Sequence, residues 1–198
     1  MELACIVMAA GQARRFGSNK LLQEFDGCPL CSRALAAARA GCFSRRILVT
    51  GYAAVAALAE DFTVVMNDRP ELGISQTIRL GLAEAENCDG AMFLTADQPL
   101  LTGESLQRLV RIFQEQPDRI CAAASGGKRG NPVVFPREFF SELTALEGDH
   151  GGAAVIRRHP DRLQLVEMPE WELWDCDTPQ ALETIKNGEK PIDKGNIC

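Results

Sequence analysis

Several features that mark particular classes of protein are missing from this sequence of 198 residues. No apolar run approaches the roughly 18–20 residues that are needed to span a membrane. The first residues, MELACIVMAAG, have no basic segment followed by a long apolar one, which is the pattern of a secretory signal. Acidic residues outnumber basic ones by 27 to 21, and this net charge of −6 disfavours the basic surface that nucleic-acid binding needs. We therefore expect a cytoplasmic protein with neither a membrane nor a nucleic acid as partner.

Motifs typical of redox cofactors and of metal clusters are also missing. The sequence has no GxGxxG, which argues against a dinucleotide redox cofactor, and no Gly-Lys-Ser/Thr of the kinase-type phosphate loop. Its eight cysteines are scattered, and no second pair accompanies Cys28-Pro-Leu-Cys31. We therefore expect reduced thiols and no zinc site. A thioredoxin-like redox role for Cys28 and Cys31 is the alternative.

Apolar runs and amphipathic stretches alternate over the first two-thirds of the sequence. The short apolar runs predict strands that are buried on both faces, and the stretches between them have apolar residues at helical spacing. Repeated strand-helix units form a mainly parallel sheet with helices on both faces. The pattern therefore predicts an α/β fold with its ligand beyond the carboxyl ends of the strands. The predicted strands are ACIVMA, RRILVTG, FTVVMN, GAMFLTA and RICAAAS.

After Gly126 this alternation gives way to glycine-rich turns. GGKRGNPVVF predicts a loop entering a short strand, and GDHGGAAVIRRHP predicts a turn entering a helix. RLQLVEM and ELWDCDTP predict strands, and TPQALETIKNG predicts a last helix with Thr178 or Asp177 as its cap. Because no linker interrupts the chain, we expect one domain over residues 1–188, followed by a polar tail over 189–198.

The stretch VMAAGQARRFGSNKLL joins the first predicted strand to a loop that is suited to phosphate. Gly11 and Gly17 would allow a tight turn that directs backbone N–H groups at an anion. Arg15 could bind a phosphate bidentately, and Lys20 could bind it as a point charge. A solvated basic loop is the alternative interpretation.

Carboxylates follow two of the later predicted strands. In FLTADQPLL, an apolar strand ends at Leu94 and Asp97 follows at its carboxyl edge, where it could hold a hard metal ion beside a triphosphate. A turn-forming aspartate is the alternative. In WDCDTP, Asp175 and Asp177 alternate along a predicted strand end, so only one of them is expected to face a cleft with Asp97.

Six motifs in this order resemble the nucleotidyltransferases that mature the molybdenum cofactor, the MobA-like NTP transferase family, and within it the cytidylyltransferases. The likeness extends over nearly the whole chain and implies a Rossmann-like three-layer α/β/α nucleotidyltransferase fold. The motifs are MAAGQARRFGSNKLL, ELGISQTIRLGL, TADQPLL, RGNPVVF, GDHGGAAVI and WDCDTPQAL.

The resemblance implies transfer of CMP from CTP, or of the equivalent group from another NTP, to the phosphate of a molybdopterin-type acceptor. Pyrophosphate would be released, Mg²⁺ would be the cofactor, and a molybdoenzyme could receive the product. The implied roles are catalysis by Arg15, Lys20 and Asp97, nucleotide binding by Ala9, Ala10, Gly11, Arg15, Lys20, Ser75 and Asp97, metal binding by Asp97 and Asp177, and acceptor binding by Asn131 and Asp149.

The choice of base depends on one small side chain. Guanylyl-transferring members of the family tend to have Leu-Ala-Gly-Gly and cytidylyl-transferring members Leu-Ala-Ala-Gly, whereas this chain has Met8-Ala9-Ala10-Gly11. The methyl group of Ala10 narrows the space beside the base, which favours a pyrimidine. A guanylyl- or sugar-1-phosphate nucleotidyltransferase is the nearest alternative. A non-catalytic protein that handles the cofactor is the alternative from another class.

Overall fold

A seven-stranded, mainly parallel sheet forms the centre of the computed structural model, which describes residues 1–11 and 19–191. The strand order is β5-β4-β1-β6-β8-β7-β9, and β8 runs antiparallel to both of its neighbours. The other neighbouring strands are parallel, as predicted. The strands of this sheet are β1 (Leu3–Ala9), β4 (Arg45–Thr50), β5 (Thr63–Met66), β6 (Gly90–Thr95), β7 (Ile120–Ser125), β8 (Lys128–Pro136) and β9 (Leu163–Glu167), and a separate hairpin pairs β2 (Glu24–Phe25) with β3 (Cys28–Pro29).

Helices cover both faces of the sheet, which confirms the predicted Rossmann-like three-layer fold. Alternate residues of β1 enter opposite cores: Cys5 and Val7 join the buried cluster on one face, while Ala4 and Ile6 join the cluster on the other. Helices α1 and α4 pack together, as do α3 and α5. The helices are α1 (Leu30–Ala40), α2 (Ala53–Ala56), α3 (Ile74–Glu84), α4 (Gly103–Glu115), α5 (Phe140–Thr144), α6 (Ala153–Arg158) and α7 (Pro179–Lys186).

Two predicted strands differ from the structure. β5 is not buried on both faces, because it lies at the edge of the sheet with β4 as its neighbour, and Val64 and Met66 are exposed. The strand predicted over ELWDCDTP is wrong, since a 3-10 helix occupies Glu170–Leu173 and no regular structure follows it up to α7. Buried Glu172 explains why this 3-10 helix forms in place of a strand, because its carboxylate accepts hydrogen bonds from the backbone N–H and the hydroxyl of Thr102.

The carboxyl ends of β1, β4 and β6 meet at one edge of the sheet. The hydroxyl of Thr50 donates to the Ala9 carbonyl at 3.1 Å, and the Ala96 N–H donates to the Met8 carbonyl at 3.2 Å. These bonds fix the end of β1 where a ligand is expected to bind an open α/β sheet. Across the described residues, none of the helices combines the length and the apolar character required to cross a membrane.

The cysteine pair does not have the environment of a redox site. All seven cysteines among the described residues are free thiols. Cys31 is buried, and this burial raises its pKa to about 11. A redox cysteine needs an accessible thiolate, so this environment argues against the thioredoxin-like alternative.

Candidate active site

One lysine and two aspartates from distant parts of the sequence meet at the carboxyl edge of the sheet. The Nζ atom of Lys20 lies 2.6 Å from Oδ2 of Asp97 and 2.9 Å from Oδ1 of Asp177. The side chains of Lys20 and Asp97 are only 15% and 17% exposed, whereas that of Asp177 is 62% exposed. The structure therefore brings together three residues that were predicted from the sequence to act in catalysis or metal binding. We call them the charged cluster.

A short capped helix holds Lys20 in place. The 3-10 helix over Lys20–Leu22 begins at Asn19, whose side chain accepts a hydrogen bond from the N–H of Leu21. Leu21 is buried in the core. The helix is thus anchored by one apolar side chain while the lysine beside it points to the carboxylates. Arg15, predicted to act with Lys20, lies outside the described residues.

The two aspartates are held by the ends of other elements. Asp97 follows β6 by two residues, and its carbonyl accepts a hydrogen bond from the N–H of Cys176 at 2.9 Å. Thr178, rather than Asp177, caps α7, because its hydroxyl accepts from the N–H of Ala181. The Asp177 carboxylate is therefore available to Lys20.

Neighbouring charges shift the pKa values of groups in and around the cluster. Burial alone would lower the pKa of Lys20, but the charge of Asp97 and hydrogen bonds to Asp97 and Asp177 raise it above its ordinary value. Desolvation, followed by the charges of Asp97 and Asp177, raises the pKa of Asp175 to about 7. Asp175 and Asp177 were predicted to alternate along a strand, but no strand forms here. Asp177 contacts Lys20, and Asp175 lines a neighbouring cavity.

The acidic groups of the cluster suit a divalent cation. Oδ1 of Asp97 is buried and has no hydrogen-bond partner among the described residues. Carboxylate oxygens are the ligands that Mg²⁺ and Mn²⁺ prefer. In the described part of the chain no three His, Cys, Asp or Glu side chains form a metal-holding group. A metal held by Asp97 and Asp177 would therefore take its other ligands from substrate phosphates and water, as Mg²⁺ commonly does.

A cavity of about 440 Å³, here called the first cavity, opens beside the charged cluster. Ala9 and Ala10 are almost fully buried in its wall, and the Gly11 carbonyl accepts a hydrogen bond from the hydroxyl of Tyr52. Ser75 is buried and donates to the Leu72 carbonyl, and it does not line the cavity. The lining residues are Met8, Ala9, Ala10, Gly11, Lys20, Leu21, Pro70, Glu71, Gly73, Ile74, Thr77, Thr95, Ala96, Asp97 and Asp149.

A glycine contact brings Asp149 to this cavity. Gly73 has a φ of 82°, and a Cβ atom there would lie 2.4 Å from the backbone of Gly148 and 2.6 Å from Oδ1 of Asp149. The N–H of Ser75 donates to the Gly148 carbonyl at 3.1 Å. The turn that precedes α6 is thus held directly against the start of α3.

A second cavity of about 360 Å³ adjoins the first, and Met8, Ile74 and Thr95 line both. Asn131 lines the second cavity, whereas Asp149 lines the first, so the two predicted acceptor residues lie in different cavities. The other residues of the second cavity are Ile78, Phe93, Gln98, Arg129, Gly130, Val133, Phe135, Leu143, Gly151, Gly152, Ala153, Leu173 and Asp175.

Several polar or charged residues that line these cavities were not predicted from the sequence to have a function. Thr95 has a buried hydroxyl without a partner among the described residues, and it lies on the wall that the cavities share. Gln98 and Arg129 line the second cavity. They lie within the motifs TADQPLL and RGNPVVF, and this position in the motifs could have indicated a functional role. The two histidines, His150 and His159, line neither cavity.

Comparison with known proteins identifies the family. A model of the MobA-like NTP transferase domain matches residues 5–163. The chain belongs to this family. It is therefore a nucleotidyltransferase, with the fold that the six motifs implied.

Two relatives of this MobA-like NTP transferase differ in how much of their own length the match covers. Purine catabolism protein PucB of Bacillus subtilis is 24% identical over 196 residues, which cover 91% of this chain and 94% of PucB. Bifunctional protein GlmU of Cutibacterium acnes is 36% identical over 121 residues. That match covers 57% of this chain and only 29% of GlmU.

Solved structures with the same fold include Rv0371c from Mycobacterium tuberculosis. It is 27% identical and superimposes with a TM-score of 0.79 over 94% of this chain and 99% of its own. A complex of Rv0371c with manganese is 25% identical with a TM-score of 0.78, and the match covers the same shares of both chains.

Proposed function

We propose that this MobA-like NTP transferase moves CMP from CTP to the phosphate of molybdenum-loaded molybdopterin and releases pyrophosphate. The observation that carries the proposal is the pair of cavities that share a wall beside the charged cluster. In this proposal CTP occupies the first cavity and the acceptor phosphate enters from the second. The two polyanions would meet beside Lys20 and Asp97.

The reaction is an in-line displacement at phosphorus. An oxygen of the acceptor phosphate forms a bond to the α-phosphorus of CTP, and the bond from that phosphorus to the bridging oxygen breaks, so pyrophosphate leaves. A phosphate monoester is largely ionised at neutral pH, so the attack needs no general base. The absence of both histidines from the cavity linings is consistent with this.

The residues of the cluster have distinct proposed roles in this reaction. Lys20, whose raised pKa keeps it charged, would neutralise the oxygens of the transferring phosphate together with Arg15. Asp97 and Asp177 would hold Mg²⁺, and the manganese complex of Rv0371c supports the use of a divalent cation by this chain. When bound, the cation supplies charge neutralisation at the phosphates. Aligning two reactants in this way can itself supply a large part of the rate enhancement.

Ala10 supports the choice of CTP. It is 4% exposed in the wall of the first cavity, so its methyl group takes up space that a glycine would leave free. The smaller pyrimidine ring would fit the narrower space better than a purine. Ala9, Gly11 and Ser75 remain proposed nucleotide-binding residues, with Ser75 acting from behind the cavity wall.

The proposed acceptor residues lie on either side of the shared wall. Asn131 could hydrogen-bond an acceptor in the second cavity. Asp149 faces the first cavity, but Gly151 and Gly152 of the same turn line the second. Asp149 could therefore contact the acceptor only where its phosphate reaches the nucleotide. A molybdoenzyme remains the proposed recipient of the product.

Thermal stabilisation by nucleotides tests the nucleotide part of the proposal. A ligand that binds only the folded chain raises its melting temperature. We expect CTP with Mg²⁺ to give the largest rise among CTP, GTP, ATP and UTP, and Asp97→Asn to remove the contribution of Mg²⁺. A larger rise with GTP would favour the guanylyl alternative. No rise with any nucleotide would contradict nucleotidyl transfer.

A further inference from the structure

We propose that Arg129, assisted by Arg157, binds a second anionic group of the acceptor, at a distance from the phosphate that attacks CTP. The inference rests on the proposed function, because it takes the second cavity as the acceptor site. It adds a chemical requirement: the acceptor is anionic at two separate places.

Arg129 belongs to the wall of the second cavity together with its neighbours in β8. Arg129, Gly130, Asn131 and Val133 all line the cavity. The register with β7 shifts between Arg129 and Val133, so this part of the strand does not alternate strictly between the two faces of the sheet. Arg129 thus lines the cavity two positions from the predicted acceptor residue Asn131.

Neither Arg129 nor Arg157 has an anionic partner within the described part of the chain. Neighbouring arginines are paired: Arg158 lies 3.2 Å from the Glu142 carboxylate, and Arg162 pairs with Glu138. Partial burial, and then the charge of Arg157, lower the pKa of Arg129, whose side chain is nevertheless exposed to solvent. Two unneutralised guanidinium groups whose charges act on each other attract an anion, and each can bind it bidentately.

The two ends of the second cavity differ in charge. Asp175 marks the end nearest the charged cluster, because the N–H of the next residue, Cys176, donates to the Asp97 carbonyl at 2.9 Å. The charge that acts on Arg129 is that of Arg157. An acceptor that presents its phosphate to the charged cluster would therefore present its other end to the arginines.

The rest of the cavity wall is largely apolar and includes a buried polar side chain. Phe93 and Phe135 meet edge to face in it, with centroids 5.9 Å apart and ring planes at 77°. Gln98 is 1% exposed, and its Oε1 has no partner among the described residues, so it could accept a hydrogen bond from the acceptor. The expected acceptor has a phosphate at one end and a second anion at the other.

Sulfate is a simple probe of the arginine end. We would titrate sulfate into the full chain saturated with CTP and Mg²⁺, so that the triphosphate already occupies the first cavity. The melting temperature would be compared with that in sodium chloride of equal ionic strength. Sulfate should stabilise the unsubstituted chain, and Arg129→Gln should weaken its apparent affinity by about tenfold, through loss of charge-assisted hydrogen bonds.

Arg158→Gln is the matched control. Arg158 follows Arg157 in α6 and is already paired with Glu142, so its replacement removes the same charge from an arginine that is not available to an anion. This variant should bind sulfate as the unsubstituted chain does, and Arg157→Gln should weaken binding by a smaller factor than Arg129→Gln. Stabilisation by CTP should persist in all three variants and so report that they fold.

Two results would overturn the inference alone: sulfate that fails to stabilise the unsubstituted chain, or equal sulfate affinity in that chain and in Arg129→Gln. Both would leave the proposed function standing as long as CTP still stabilises the protein. Loss of CTP stabilisation from the unsubstituted chain would instead contradict the proposed function itself.

Discussion

Lys20 is the cation that two carboxylates share in this structure. Its ammonium group contacts both Asp97 and Asp177, and most of its surface and that of Asp97 is withdrawn from water. Opposite charges at such distances attract more strongly as the surrounding water is removed. A divalent cation that bound to these carboxylates would compete with Lys20 for the same oxygens. Nucleotide phosphates offer the displaced ammonium group a new partner, so metal and nucleotide should bind together.

Replacement of Lys20 should therefore strengthen metal binding in the absence of nucleotide. We expect Lys20→Met to bind Mn²⁺ at least about tenfold more tightly than the unsubstituted chain, because two neighbouring carboxylates then lack a counter-charge. Titration followed by electron paramagnetic resonance of free Mn²⁺ would measure this. Lys186→Met, which removes a lysine paired with Glu183, is the control and should leave the affinity unchanged. Equal affinities in Lys20→Met and the unsubstituted chain would show that Lys20 does not compete with the metal.

Ala10 offers a test of base choice at a single methyl group. Ala10→Gly enlarges the first cavity at a buried position, so we expect GTP to gain binding relative to CTP. The change should be modest, about tenfold in the ratio of affinities, which is the lower end of the discrimination that one methyl or methylene group provides. The thermal shifts with CTP and GTP would be compared in both proteins. An unchanged ratio would remove Ala10 from the argument for CTP.

At the scale of elements, the contact between α3 and the turn before α6 joins the two halves of the chain. Gly73 makes this contact possible through its positive φ and its lack of a side chain. The turn supplies Asp149 to the first cavity and Gly151 and Gly152 to the second. A shift of the turn would therefore alter both cavities together.

Gly73→Ala should destabilise the protein by about 1–3 kcal/mol, because an alanine is strained at this φ and its Cβ would overlap the backbone of Gly148. Denaturation in urea would measure the loss. Gly151→Ala is the matched control: its Cβ would meet Ile74 at an ordinary 3.5 Å, so stability should change by no more than about 0.5 kcal/mol. Similar stabilities of the two variants would contradict the role given to Gly73.

The order of the elements could be predicted from the sequence because apolar runs and helical spacing report burial directly. The β1 run, for example, is buried throughout its length apart from Met8, as its composition indicated. The 3-10 helix over Glu170–Leu173 could not be predicted, since it depends on the buried carboxylate of Glu172, which binds Thr102 in a distant segment. The exposure of β5 depends likewise on its position at the edge of the sheet, which no property of the run itself specifies.

At the scale of the whole molecule, the sheet topology assembles the charged cluster. Asp97 could be predicted because it lies just beyond the carboxyl end of a buried strand, and parallel strands end at one edge. The alternative between Asp177 and Thr178 as cap could not be resolved from the sequence, because both residue types cap helices well. The division of Asn131 and Asp149 between two cavities depends on packing between elements, which local patterns do not report.

The most direct test of the proposed reaction is the release of pyrophosphate from CTP in the presence of Mg²⁺ and molybdenum-loaded molybdopterin. We predict release that requires this acceptor, and a loss of about 10²–10³ in rate in Asp97→Asn, as is typical when one electrostatic catalytic group is removed. Release without acceptor dependence, no release at all, or a near-normal rate in Asp97→Asn would contradict the proposed function.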